Sequence, residues 1–198
     1  LQAARLADER GDSFLLLLDH DFQAPEGWWN AYEAAVAKHP QATCWAPRLM
    51  HAGRRLSPFV VERGTPRRDR LVPAGLLDAA GHVALNSGLL IRTEAVLMAS
   101  RELTVAPLDF SDYAMFHRLG RSGGSIAPVE LELVHDSSTH RASSADSRLA
   151  RFAWFCHGAR AFADLDPSHK WPLRRWSLGR AVKLSVFCRD RRFLSVWK

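Results

Sequence analysis

Cysteine is scarce in this chain, and its three copies, Cys44, Cys156 and Cys188, stand far apart with no CxxC pair. That argues against a disulfide framework or a cysteine-built zinc site and fits a reducing, cytoplasmic setting. Long apolar runs are lacking too: none is longer than the aliphatic run Phe14 to Leu18, which is far short of the ~20 residues that cross a bilayer. The first residues mix charges and have no apolar stretch, so no secretory leader is expected of them. No internal repeat and no low-complexity tract is visible. What remains is an ordinary globular balance: 198 residues, 47% hydrophobic and 24% charged, enough for one domain with an appended tail.

The formal charge of +6 is unevenly spread. Residues 1–140 hold 14 Lys and Arg against 17 Asp and Glu; residues 141–198 hold 13 against 4. The excess positive charge therefore belongs to the tail, and so does any partner inferred from it. The expected organisation is a body over 1–140 and a helical, basic, aromatic extension over 141–198.

Leu1 to Arg10 reads as a helix stopped by Gly11. Ser13 to Leu18 reads as a strand buried on both faces, as at the centre of a parallel sheet, and it ends in Asp19-His20-Asp21. Pro25 and Glu26 open a helix to about His39, and Thr43 to Leu49 is a second strand. Residues 51–81 read as a surface excursion with short strands such as Phe59 to Val61. Asn86-Ser87-Gly88 is a turn feeding Leu89 to Ile91, and Thr93 is placed as the cap of a short helix. A helix starts near Asp109, two short strands around a bend fill Ser125 to His135, and helices follow to about Asp164 and over Leu173 to Phe187. Strands alternating with helices predict an α/β fold with a mostly parallel sheet, whose ligands bind at the carboxyl ends of its strands.

Asp19 and Asp21, one residue apart at such an end, can share a divalent cation; oxygen donors suit Mg²⁺ or Mn²⁺. A polar turn after a core strand is the bland alternative. Asp112 falls in the first turn of its helix on the face shared with Met115, Phe116 and Leu119, so it is a candidate general base; helix capping is the competing role and suits Asp109 better. His135 ends a strand and can serve as a metal ligand, a phosphate donor or a plain polar terminus. Asn86, Ser87 and Gly88 can cradle a hydroxylated ligand or form only a turn. His51, His82, His117, His140, His157 and His169 show no metal spacing and read as structural or surface residues.

In this order the pieces resemble the family 2 glycosyltransferases of GT-A fold, rhamnosyltransferase-like members in particular. Phe14 to Asp21 looks like the hydrophobic strand ending in DxD, and Asn86 to Glu94 is similar to the turn, strand and helix lining the acceptor site. Leu108 to Leu119 looks like the helix presenting the catalytic carboxylate, with Arg118 six residues after Asp112, and Val134-His135 resembles the late strand-end histidine. The stretch 147–162, with Arg148, Arg151, Phe152 and Arg160, resembles a basic aromatic helix after the core. The resemblance implies inverting transfer from a nucleotide-diphosphate sugar to a hydroxyl of a glycan or lipid-linked glycan. It implies Asp19, Asp21 and His135 at a Mg²⁺ or Mn²⁺ ion, Asp112 as base, and Asn86, Ser87, Gly88 and Asp109 at the acceptor. It also implies about three βα units before the DxD, roughly 90 residues at ~30 per unit, so residues 1–198 alone are expected to bind nucleotide sugar weakly.

The competing reading is a non-catalytic accessory protein acting through its tail, where Arg174, Arg175, Trp176 and Arg180 interleave base and aromatic. An anionic membrane surface on the inner face is the expected partner there; nucleic acid is the less favoured one. A solvated basic face over a tryptophan-anchored core is the bland alternative.

Overall fold

The computed structural model describes residues 1–19, 23, 25–68, 70–106, 108–134 and 144–198. Helix α1 (Gln2–Glu9) leads into strand β1 (Phe14–Leu17) and helix α2 (Trp28–Lys38). Strands β2 (Cys44–His51), β3 (Arg54–Ser57), β4 (Phe59–Glu62), β5 (Thr65–Arg67), β6 (Leu77–Asp78), β7 (His82–Val83) and β8 (Leu89–Arg92) follow. Helices α3 (Thr93–Met98) and α4 (Ser100–Val105) precede a 3-10 turn at Leu108–Phe110, helix α5 (Ser111–Arg121) and strand β9 (Ser125–Val134). Last come α6 (Ala145–Leu165), a 3-10 turn at Pro167–His169, α7 (Lys170–Cys188) and α8 (Arg192–Trp197).

The fold is α/β, a mixed sheet flanked by helices. The larger sheet is ordered β1-β8-β2-β9-β6, with β3 beside β2, and β5-β4-β7 form a separate antiparallel sheet. The expectation of a mostly parallel sheet is corrected: β2 with β9 is the parallel pair, whereas β1–β8, β8–β2, β2–β3 and β6–β9 are antiparallel. An apolar run does not encode the direction of its partner. The excursion between β2 and β8 is long enough to return the chain reversed, inserting β8 between β1 and β2. With β8 reversed, β1 and β2 run the same way, and β9 runs with them. Their carboxyl ends share one edge of the sheet.

Strand β1 is also not central. It ends the strand order, and Phe14 is exposed. The run is apolar because helices cover both faces: Leu15 and Leu17 pack into one buried cluster and Leu16 into the other. The two-residue period of the strands sorts the rest. Trp45, Leu90 and Ala127 meet Tyr32 and Ala35 of α2, while Cys44, Leu89, Ile91 and Ile126 share the opposite cluster with Met115 and Phe116 of α5.

That larger cluster also contains Phe152, Phe155 and Phe162 of α6, Leu173 of α7 and Phe193 of α8. Each such buried side chain contributes roughly 1.5–3 kcal/mol, so the change of charge near residue 140 is not a boundary in packing. Strand β9 is continuous where two short strands were expected; the bend is a register shift in which Ala46 faces Pro128 but Arg48 faces Glu132. Thr93 does not cap α3 with its side chain: its hydroxyl donates to the Asp12 carbonyl at 2.7 Å. Among the described residues, no helix is long and apolar enough to cross a membrane.

Candidate functional site

Asp19 follows β1 at the shared carboxyl edge. Asp21 and His135, the other candidate metal ligands, lie outside the described residues.

The turn Asn86–Gly88 is tied to the same strand end. Gly88 N–H donates to the Leu17 carbonyl at 2.8 Å, and Leu89 N–H donates to the Asn86 carbonyl at 3.1 Å. From α2, the buried Tyr32 hydroxyl donates to the Gly88 carbonyl at 2.6 Å. Gly88 has φ +78°, and a Cβ there would stand 3.0 Å from both Leu133 Cδ1 and Pro47 Cγ and 3.1 Å from Tyr32 Oη. A side chain has neither the backbone conformation nor the room. Tyr32→Phe is expected to cost about 1–3 kcal/mol, because the buried Gly88 carbonyl loses its donor. Urea unfolding checks this; an unchanged midpoint would show that the hydroxyl does not hold the turn.

Helix α5 carries Asp112 in its first turn, while Tyr113, Ala114, Met115, Phe116 and Leu119 anchor it in the core. The Asp112 oxygen Oδ1 is buried without a hydrogen-bond partner. Burial pushes the Asp112 carboxyl up to about 8 from its ordinary 3.8, and the charges of Asp19 and Asp109 push the same way. Asp112 thus lies within the field of both Asp19 and Asp109. Asp109 does not cap the helix; Arg151 of α6 pairs with it.

The tail residues divide. Trp176 stands edge-on to Phe155 at 5.0 Å and to Phe110 at 6.0 Å, inside the aromatic packing beneath α5. Arg180 lies 4.2 Å over the Phe155 ring; burial lowers its pKa, while the nearby Asp109 opposes that shift. Trp176 is thus packed among aromatic rings, and Arg180 lies within the field of Asp109; both are half-buried. Arg174 and Arg175 are exposed, with Arg174 over the rings of Trp171 and Trp197.

Two buried acceptor atoms at this edge, Asp112 Oδ1 and Asn86 Oδ1, lack donors among the described residues. A buried acceptor left alone is costly, so such a site suits a ligand rich in hydroxyls. The mutual repulsion of its carboxylates is what a divalent cation would relieve, and oxygen donors fit Mg²⁺ or Mn²⁺. Sequence reasoning did not foresee Tyr32 at the turn; a tyrosine on a helical apolar face carries no sign of the carbonyl it will meet. It also set aside His117 and His169, which the fold brings together with Asp166. Compared with protein-family models, curated proteins and solved structures, the chain has no match.

Proposed function

We propose that this chain carries the catalytic and acceptor side of an inverting, metal-assisted glycosyltransferase of GT-A type. It would move a sugar from a nucleotide-diphosphate donor to a hydroxyl of a glycan or lipid-linked glycan. The observation that carries this reading is the convergence, at one carboxyl edge, of Asp19, Asp112 with its unpartnered buried oxygen, and the Asn86–Gly88 turn tied to Leu17.

Asp19, together with Asp21 and His135, would hold Mg²⁺ or Mn²⁺. The bound ion offsets charge developing on the leaving diphosphate. Asp112 takes the proton from the acceptor hydroxyl as that oxygen bonds to the anomeric carbon and the bond to the diphosphate oxygen breaks. A base with a pKa near the working pH is suited to that transfer, and about 8 meets the condition. Asn86 Oδ1 accepts from a second hydroxyl and fixes the acceptor's orientation. Arg151 pairs with Asp109 and offsets part of the negative charge that Asp109 places near the base. The test is sugar transfer by wild type against Asp112→Asn: loss of transfer in the variant is expected, and retained transfer would remove Asp112 as the base.

The lipid-linked acceptor draws support from α7. Its outward side exposes Trp171 (70%), Val186 (73%) and Phe187 (68%), with Val182 and Leu178 at helical spacing between them. Exposed Arg175 and Lys183 flank this stripe. Apolar side chains beside cations fit an anionic lipid interface. Deleting 172–198 would tear Leu173, Ala181 and Phe193 from the core, so substitutions are the proper probe. Trp171→Glu with Val186→Glu and Phe187→Glu is expected to abolish flotation with anionic vesicles while leaving the fold intact by circular dichroism. Flotation equal to wild type would remove the membrane from the proposal. The same stripe serves the second reading, a non-catalytic accessory protein at the membrane, and sugar transfer separates the two.

A further inference from the structure

We propose that His117, Asp166 and His169 form a zinc site that ties helix α5 to the turn between α6 and α7. His117 lies five residues beyond Asp112, about 140° around the helix at ~100° per residue, so it serves a different face from the acidic edge. Its ring stands 5.7 Å from Phe162 and 5.6 Å from His169.

Asp166 ends α6. Its Oδ1 accepts from the Ser168 N–H at 2.9 Å, which fixes the carboxylate, while Oδ2 lies 3.8 Å from His169 Nε2. That separation is too long for a hydrogen bond, and His169 Nδ1 is buried without a partner. The ring is held in place nonetheless: it packs on Phe162 at 5.2 Å, and a Cβ on Gly64 would come 2.9 Å from His169 Cγ.

One ligand atom from each of the three residues lies within 4.8 Å of the others, a grouping found at this place alone among the described residues. Tetrahedral zinc with bonds of ~2.0–2.1 Å needs neighbouring donors about 3.3 Å apart, which small side-chain rotations supply. Two imidazole nitrogens and one carboxylate oxygen favour Zn²⁺ over Mg²⁺ or Mn²⁺. Two imidazoles to one carboxylate reverses the two carboxylates and one imidazole assigned to the Asp19 site, and that difference would sort the metals of the two sites.

Three protein ligands leave a fourth position. It opens on a cavity of about 270 Å³ that these residues line together with Arg63 and Arg121. Water or a small anion completes the coordination there, the arginines favouring the anion.

The test uses tag-free chain stripped with a chelator and titrated with Zn²⁺ by calorimetry, with metal content and thermal midpoint read in parallel. One Zn²⁺ per chain and a raised midpoint are expected. His169→Gln and Asp166→Asn should each weaken binding at least tenfold, at the lower end of the roughly 10–100-fold that even outer partners of a zinc site command; Asp19→Asn should leave it unchanged. Co²⁺ in place of Zn²⁺ should give the intense visible absorption of a low-coordinate site, which settles the matter if a variant fails to fold. Absence of saturable micromolar binding by the folded wild type, a weak octahedral cobalt spectrum, or wild-type affinity in both variants would overturn the site.

Discussion

Asp112→Asn is expected to lower sugar transfer by about 10²–10⁴-fold, while donor binding in the presence of Mn²⁺ persists. The amide matches the carboxyl in shape but cannot accept the acceptor's proton. Retained transfer would show that another group is the base. The same variant has a second signature that needs no substrate. In the folded chain Asp112 keeps its proton up to about pH 8, whereas the ordinary value in an open chain is 3.8. Between those values the folded state binds the extra proton, so stability is greatest below the unfolded value and falls as pH rises, by at most about 1.4 kcal/mol per pH unit. Asn does not ionise. The advantage of Asp112→Asn over wild type in urea unfolding should therefore grow from about pH 5 to about pH 8. Parallel pH profiles would mean that the carboxyl is ionised and satisfied in the native state.

Gly88→Ala is expected to destabilise the chain by about 2–4 kcal/mol, from the left-handed backbone and the overpacking together. It should also depress transfer by shifting Asn86 and Ser87 away from Asp19. Gly123 provides the comparison: its φ is +73°, but nothing lies within 4 Å of a Cβ there. Gly123→Ala carries only the conformational cost. The difference between the two variants measures the contacts with Leu133, Pro47 and Tyr32. Equal losses in urea unfolding would show that the Asn86–Gly88 turn yields easily and does not rigidly shape a site.

Much of this edge was legible in the chain. The aliphatic run before Asp19, the turn before Leu89 and the helix carrying Asp112 each have a local signal, and each forms where expected, within a few residues at its ends. Strand direction has no local signal, so the reversed β8 and the edge position of β1 emerged only from pairing. Charge misled at the tail. Arg180 and Trp176 lie in a basic stretch, yet the packing of α7 sets Trp176 against Phe110 and Phe155 and brings Arg180 into the field of Asp109. His117 and His169 are 52 positions apart, and no spacing rule reaches that far; only the docking of α6 on α5 brings their rings to 5.6 Å.

The most direct test of the central claim is Mn²⁺ relaxation in the amide NMR spectrum, with a nucleoside diphosphate present. Paramagnetic broadening is short-ranged and registers weak binding. The account predicts broadening of Asp19, Ser87, Gly88 and Asp112, relieved by excess Mg²⁺, with the surroundings of His169 left sharp. Sharp resonances at Ser87 and Asp112, with broadening confined to other surface carboxylates such as Asp146 and Asp164, would contradict a metal–diphosphate site at the carboxyl edge.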